Sequence, residues 1–169
     1  MTEILYTLTV PAFNKMLGAL LPIFAKAQAY AAEKKFDESV LINSRLAPDM
    51  FALARQVQIA ADFAKGCAAR LSETEIPKYS DDETTFDELK TRIEKTLAFV
   101  NSIDAEKYVG AQTRIVKVSV GGQPMELDGN TYVRDMVLPN VYFHLSMTYA
   151  ILRHNGLAIG KNDFVGRAQ

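Results

Sequence analysis

MFALARQVQIAADFAKGCAARL, residues 50–71, carries the clearest helical pattern in this chain. Apolar and small side chains recur there at alternating spacings of three and four residues, and they are Met50, Leu53, Val57, Ala60, Ala64, Cys67 and Leu71. A row with this spacing lies along one face of an α-helix and predicts packing inside a helical bundle. Pro48 and Asp49 suit the first turn of a helix, so we expect this helix to begin there.

The other faces of this helix differ in polarity. Its polar side chains are expected to face solvent, and they are Arg55, Gln58, Asp62 and Lys65. Ile59 and Phe63 form a second apolar strip beside the main row. Such a strip predicts that another helix, or another subunit, covers that side.

Three further segments have a helical period. The first covers roughly residues 3–32, where Pro11 and Pro22 predict a kink or a short break. The next runs from about residue 85 to 102, with Arg92 expected on its outer side in a charge pair with Glu88. The inward face of this helix is predicted to comprise Phe86, Leu89, Ile93, Thr96, Leu97 and Val100.

The last helix is expected to start near Pro139 and to end at Asn155-Gly156, a common pair after a helix. Its predicted core face comprises Val141, Leu145, Thr148 and Leu152. The rest of its circumference is also largely apolar, so it should be central or lie at a subunit interface.

One segment departs from the helical pattern. Within residues 112–128, Val116, Val118 and Val120 alternate with polar residues, and Gly121-Gly122 supplies a turn, which predicts a short β-hairpin. Residues 72–83 are polar and predict a connection. We therefore expect a single all-α domain over residues 1–169, a bundle of about four helices with a β-hairpin inserted between the third and the fourth.

Charge balance, cysteine count and hydropathy disfavour several classes of function. The chain has 19 basic and 20 acidic residues and a formal net charge of −1, whereas a nucleic-acid-binding protein usually has a basic excess. Its single cysteine excludes an internal disulfide and suits a reducing compartment. The N-terminal residues MTEILYTLTVPAF have no basic start before an apolar run, and no stretch approaches ~18 consecutive apolar residues. We expect a cytoplasmic protein that binds neither nucleic acid nor membrane.

Few residues could carry chemistry. His144 is predicted to point inward, either as a hydrogen-bonded core histidine or as a pocket residue or metal ligand. Gln56 is expected to be at least partly buried, either in structural hydrogen bonding or as a pocket residue. His154 suits a helix end, and Cys67 suits a buried structural thiol. No phosphate loop, HExxH, CxxC or nucleophile elbow occurs, so no catalytic residue is predicted.

Two long sequence segments resemble those of a known family. LAPDMFALARQVQIAADFAKG (residues 46–66) and LPNVYFHLSMTYAILRHNGLAIGKNDFVG (residues 138–166) are similar to the bacterial domain-of-unknown-function family DUF1993. That family resembles the DinB/YfiT-like putative metalloenzymes. The resemblance implies a four-helix bundle, frequent homodimers, and in better-known members a divalent metal held by three histidines. One histidine comes from the second helix and two from an HxxxH pair on the fourth, and some members are thiol-dependent transferases or isomerases.

This sequence departs from that metal site. His144 matches the first histidine of the pair, but Thr148 stands where the second would be, and the helix-two position falls near Gln56 or Gln58. One imidazole with neutral amides is a poor site for zinc or nickel. The resemblance leaves a divalent metal possible, with His144 as a degenerate ligand, but these residues do not favour one. Because both side chains point inward and the resemblance places a shared site between their helices, we expect His144 and Gln56 to approach each other. We predict a candidate pocket formed by His144, Gln56 and Thr148.

Three functional hypotheses remain. The first is a diverged member with a small-molecule pocket and little or no metal binding. The second is a non-enzymatic helical homodimer that acts through its surface, since leftover apolar strips favour a two-fold contact, although the long connections could cover them instead. The third, least favoured, is a thiol-dependent metal-requiring transferase or isomerase.

Overall fold

The computed structural model describes residues 3–167, so two residues at each end of the predicted domain lie outside it. The described chain is mostly helical, with a small two-stranded antiparallel sheet. Its elements are α1 (Ile4–Gly18), α2 (Leu20–Lys34), α3 (Ser39–Ile42), α4 (Leu53–Ser72), α5 (Phe86–Asn101), β1 (Ile115–Val120), β2 (Gln123–Asp128), α6 (Gly129–Thr131), α7 (Leu138–His154) and α8 (Lys161–Phe164). A 3-10 turn (Ala105–Tyr108) precedes β1, and a π-helical turn (Tyr132–Val137) joins α6 to α7.

The first predicted helix is interrupted, as expected, close to one of its prolines. The break falls at Ala19, between α1 and α2, because the ring of Pro22 crowds the carbonyl of Gly18 and provides no N–H for it. Pro11 stays inside α1. By length and composition Ile4–Lys34 could cross a membrane, but half of its most apolar window is buried in this fold, as in the core helices of globular proteins.

α4 starts later than the sequence predicts. Its first residue is Leu53, and Pro48, Asp49 and Met50 lie in turns before it, so the predicted start at Pro48 is wrong. The Arg45 guanidinium donates to the carbonyl oxygens of Pro48 and Met50 and holds this segment in a loop instead. From Leu53 onward the predicted apolar row is confirmed, since all its members are fully buried.

α5 confirms its predicted position, because Thr85 and Glu88 form a reciprocal capping box at its start. Arg92, however, is fully buried, so its predicted place on the outer side of the helix is wrong. The solvent-facing assignment on α4 also fails for Gln58 and Lys65, which are buried. The reason is tertiary: residues 73–85 fold over both helices, bring the Glu83 carboxylate to Gln58 and Arg92, and place the Tyr79 ring over Lys65.

The predicted β-hairpin is confirmed. β1 and β2 pair antiparallel around Gly121 and Gly122, both of which have positive φ angles. The chain then becomes helical at Gly129, while α7 itself begins at Leu138 and ends at His154, which confirms its predicted start near Pro139 and end at Asn155-Gly156. A side chain at Gly129 would overlap the carbonyl oxygen of Ala111, so the close approach of these two segments requires glycine.

α4 lies at the centre of the packing. It contacts α7 on one side and α5 on the other, while α1 packs against both α4 and α5. The predicted core face of α7 is confirmed, because Val141, Leu145, Thr148 and Leu152 are all buried. This arrangement sets the middle of α7 against the first turns of α4, where His144 meets Gln56.

Candidate functional site

A histidine–glutamine pair joins α7 to α4. His144 Nδ1 lies 2.7 Å from Gln56 Oε1, and both side chains are almost fully buried. The proximity predicted for these two residues is therefore confirmed. The rings of Phe63 and Phe143 flank the imidazole, the first stacked on it at 6.5 Å between centroids and the second edge-on at 5.1 Å.

The hydrogen bonds define the form of the histidine. Gln56 Nε2 donates to the carbonyl oxygen of Phe51, so its Oε1 faces His144 and can only accept. Nδ1 therefore carries the proton, and Nε2 keeps its lone pair. Nε2 has no protein partner among residues 3–167 and is not one of their fully enclosed unpaired atoms, so solvent can reach it.

The surroundings keep this imidazole neutral. Burial lowers the pKa of His144 below its ordinary value of 6.5, and the positive charge of Arg55 lowers it further. At neutral pH the site therefore presents a neutral imidazole whose Nε2 can accept a hydrogen bond or a proton. That is the chemistry available here from the protein alone.

Thr148 and Gln58 do not extend this pair into a ligand set. Thr148 is fully buried and its hydroxyl donates to the carbonyl oxygen of His144, within its own helix. The Gln58 amide turns toward Arg55 and Glu83 instead of toward His144. In the described part of the chain, no three His, Cys, Asp or Glu side chains come together as a metal site. The residues present do not fit a three-histidine metal centre.

The other residues weighed from the sequence lie elsewhere. Cys67 is fully buried, and burial raises the pKa of its thiol far above the ordinary value, so it is an unreactive core residue. His154 is exposed in the last turn of α7, as expected. Asp49 is exposed in the loop before α4.

The sequence reasoning missed an ionic cluster between α4, α5 and the connection that joins them, centred on the buried guanidinium of Arg92. The Arg92 guanidinium donates to the carboxylates of Asp62, Asp81 and Glu83 and to the carbonyl oxygen of Ser80. Lys65 also pairs with Asp62, and Arg55 pairs with Asp81. A signal was present, because residue 92 follows Leu89 by three and precedes Thr96 by four, which places it on the inward face of α5.

This cluster fastens the connection between α4 and α5. Burial alone would raise the pKa of Asp81, but hydrogen bonds and charge from Arg55 and Arg92 outweigh it and hold that pKa below its ordinary value. The cluster contains three cations and three carboxylates in contact, so its charges balance and none is free to bind a ligand. The cations are those of Arg55, Lys65 and Arg92, and the carboxylates are those of Asp62, Asp81 and Glu83. We interpret the cluster as structural.

A groove runs beside the histidine pair, between α4, β1 and the π-helical turn. Its volume is about 480 Å³. Its walls comprise Arg55, Ile59, Asp62, Phe63, Arg70, Val118, Ser119, Val120, Gly121, Tyr132, Met136 and Asn140. The predicted second apolar strip of α4 thus lines a groove partly walled by the hairpin. Phe63 belongs both to this groove and to the surroundings of His144.

The chain matches a protein-family model and solved structures. The model of the family described as domain of unknown function (DUF1993) matches residues 5–165. A crystal structure titled as a DinB family member protein from Shewanella denitrificans is similar over 98% of this chain and 93% of that one, with 44% sequence identity and a TM-score of 0.89. No functionally curated protein matches the chain.

Proposed function

The chain belongs to the DUF1993 family, and from that premise we propose that it is a diverged DinB-like protein that binds a small molecule beside His144 without a tightly held transition metal. In this proposal α1 with α2, α4, α5 and α7 form the four-helix bundle implied by the resemblance. We place the protein in the cytoplasm, because its single cysteine, Cys67, is a free buried thiol, which suits a reducing compartment.

The hydrogen bond between His144 and Gln56 carries this proposal. The resemblance implies a three-histidine site between the second and fourth helices of the bundle. At this place the chain pairs one imidazole, that of His144, with the amide oxygen of Gln56. The bond orients the ring and leaves Nε2 as an acceptor, but it supplies no further strong ligand for zinc or nickel. A thiol-dependent, metal-requiring transferase is therefore the less favoured function.

The surroundings of the imidazole suggest what it binds. Phe63 and Phe143 offer aromatic faces on two sides of the ring, and Nε2 accepts a hydrogen bond at its open edge. A flat apolar molecule with a hydroxyl or N–H group fits these surfaces. The ligand donates that hydrogen to Nε2 while its body packs against the phenylalanines.

Nitrogen NMR of the histidine side chains tests this proposal. In protein labelled at histidine, the resonances of His144 are assigned by their loss in His144→Gln, and exposed His154 serves as the internal control. We expect a neutral ring at pH 7, protonated at Nδ1, because Gln56 accepts from that atom. One equivalent of zinc should leave the His144 resonances unchanged.

Two outcomes would contradict the proposal. An imidazolium or an Nε2-protonated ring at neutral pH would mean that Nε2 is not available as an acceptor. Stoichiometric zinc coordination at His144, resistant to a weak chelator, would restore the metalloenzyme hypothesis.

A homodimer that acts through its surface is the second candidate. Phe143 and Tyr142 on α7 expose 51% and 42% of their surface, and Phe51 exposes 56%. Large aromatic side chains left in water favour a two-fold contact that covers them. Light scattering at micromolar concentration should give about twice the chain mass of 18.8 kDa, and Phe143→Ser should shift it toward one chain. A single-chain mass for the unaltered protein would exclude this dimer under those conditions.

A further inference from the structure

Among the described residues, the groove has one cation, Arg70, that no carboxylate neutralises. Arg55 pairs with Asp81, and Asp62 pairs with Arg92 and Lys65. Arg70 makes no ion pair with any side chain in residues 3–167, although it is partly buried in the groove wall. A partly buried guanidinium without a counterion favours an anion from outside.

The fold holds this guanidinium in place. Gly66 is buried in the middle of α4, where glycine costs about 1 kcal/mol relative to alanine. An added Cβ at Gly66 would lie 2.5 Å from Arg70 Nη1. The glycine therefore makes room for the guanidinium to fold back against its own helix, one turn earlier.

Tyr132 completes the polar end of the groove. Arg70 Nη1 donates to the Tyr132 hydroxyl over 3.3 Å, and that hydroxyl finds no acceptor for its own hydrogen among the described residues. Burial raises the pKa of Tyr132 to about 12, so the hydroxyl stays protonated. Tyr132 begins the π-helical turn, a rare geometry that is frequent at functional sites.

An apolar surface lies beside this polar end, although Arg55, Asp62, Ser119 and Asn140 also line the groove. Ile59 and Phe63 of α4 face Val118 of β1 and Met136 of the π-helical turn. Organic ligands occupy pockets of roughly 300–1,000 Å³, and the groove volume of about 480 Å³ falls within that range. A bound molecule would therefore have an anionic end at Arg70 and Tyr132 and an apolar part against Ile59 and Phe63.

We propose that this groove binds a small amphiphilic organic anion, a carboxylate, phosphate or sulfonate with an apolar body. Its anionic oxygens accept hydrogen bonds from the Arg70 guanidinium and the Tyr132 hydroxyl, and its body lies along Ile59 and Phe63. The site depends on the Arg70 end of the groove and goes beyond any role of His144.

Two fluorescent probes of nearly the same shape test this proposal on the intact chain. Anilinonaphthalene sulfonate carries the anion, whereas phenylnaphthylamine lacks it. In a fluorescence titration, Arg70→Gln should weaken the sulfonate roughly ten- to a hundredfold, because the charge-assisted hydrogen bonds are lost. Phenylnaphthylamine should bind equally well to both proteins. Arg134→Gln, which removes an exposed guanidinium paired with Asp135, is the matched control and should change neither affinity.

Two further variants keep the test decisive if Arg70→Gln folds poorly. Gly66→Ala should displace the guanidinium and weaken only the sulfonate, and Arg70→Lys should retain part of its affinity, since it keeps the charge without the planar fork. An unchanged sulfonate affinity in Arg70→Gln and Gly66→Ala would overturn the proposal. An equal loss for both probes, or the same loss in Arg134→Gln, would also overturn it.

Discussion

Replacing Arg92 by methionine should release the connection between α4 and α5. Methionine keeps much of the apolar stem but removes the guanidinium, which is fully buried. Its partners differ in exposure: Glu83 is 5% exposed, whereas Asp62 and Asp81 are 39% and 41% exposed. The variant would thus leave the buried Glu83 carboxylate with its hydrogen bond from Gln58 but no cation, and the Ser80 carbonyl without the guanidinium.

The magnitude follows from these exposures. The two exposed carboxylates contribute little, because water screens their pairs with Arg92. The loss of the hydrogen bonds to Glu83 and Ser80 should lower the free energy of unfolding by about 3–4 kcal/mol. For a chain of this length that corresponds to a fall in Tm of roughly 10 °C.

Urea unfolding followed by circular dichroism measures this change. Arg134→Met is the matched control, since it removes an exposed arginine paired only with Asp135, and we expect a change of less than about 1 kcal/mol. Adding Glu83→Gln to Arg92→Met should recover part of the loss, because the buried carboxylate is no longer left charged. If Arg92→Met were no less stable than Arg134→Met, the cluster would not hold the connection.

Two further predictions concern backbone packing and pH. Gly129→Ala should lower the free energy of unfolding by several kcal/mol, because the added Cβ would overlap the Ala111 carbonyl oxygen. Gly18→Ala is the control: the space around Gly18 is open, so its free energy of unfolding should stay the same or rise by about 1 kcal/mol. Thermal unfolding measures both. The lowered pKa of His144 means that the unfolded chain binds a proton more readily. Its contribution to stability is therefore present above about pH 6.5 and is lost as pH falls below that value through the lower pKa of the folded state. His144→Gln should flatten the fall in Tm between pH 7 and pH 5, and an equally steep fall in that variant would refute the assignment.

Periodicity predicted the buried faces, because a helix that is buried on one side has apolar residues at spacings of three and four along its sequence. The apolar row of α4 and the core face of α7 were both correct for this reason, and their inward direction also placed His144 beside Gln56. The β-hairpin was predictable because Gly121 and Gly122 adopt the positive φ angles that its turn requires.

The errors arose where distant segments decide the environment of a polar residue. Arg92 and Lys65 are hydrophilic by type. Asp62 of α4 pairs with both, while residues 73–85 bring Glu83 to Arg92 and the Tyr79 ring over Lys65, and these contacts allow their burial. The start of α4 was misplaced because Arg45 binds carbonyl oxygens of the preceding loop, a contact with no periodic signal. The groove at Arg70 was not predicted either, because it forms between α4, β1 and the π-helical turn, which are distant in sequence.

Metal analysis of the purified protein tests the central claim most directly, namely that the site at His144 is a diverged pocket and not a metal centre. The unaltered chain, purified without added metal, should contain no stoichiometric zinc or nickel. Gln56→His combined with Thr148→His is the positive control, since it restores three imidazoles and should take up about one zinc per chain. About one zinc or nickel per chain in the unaltered protein, lost in His144→Ala, would contradict the account.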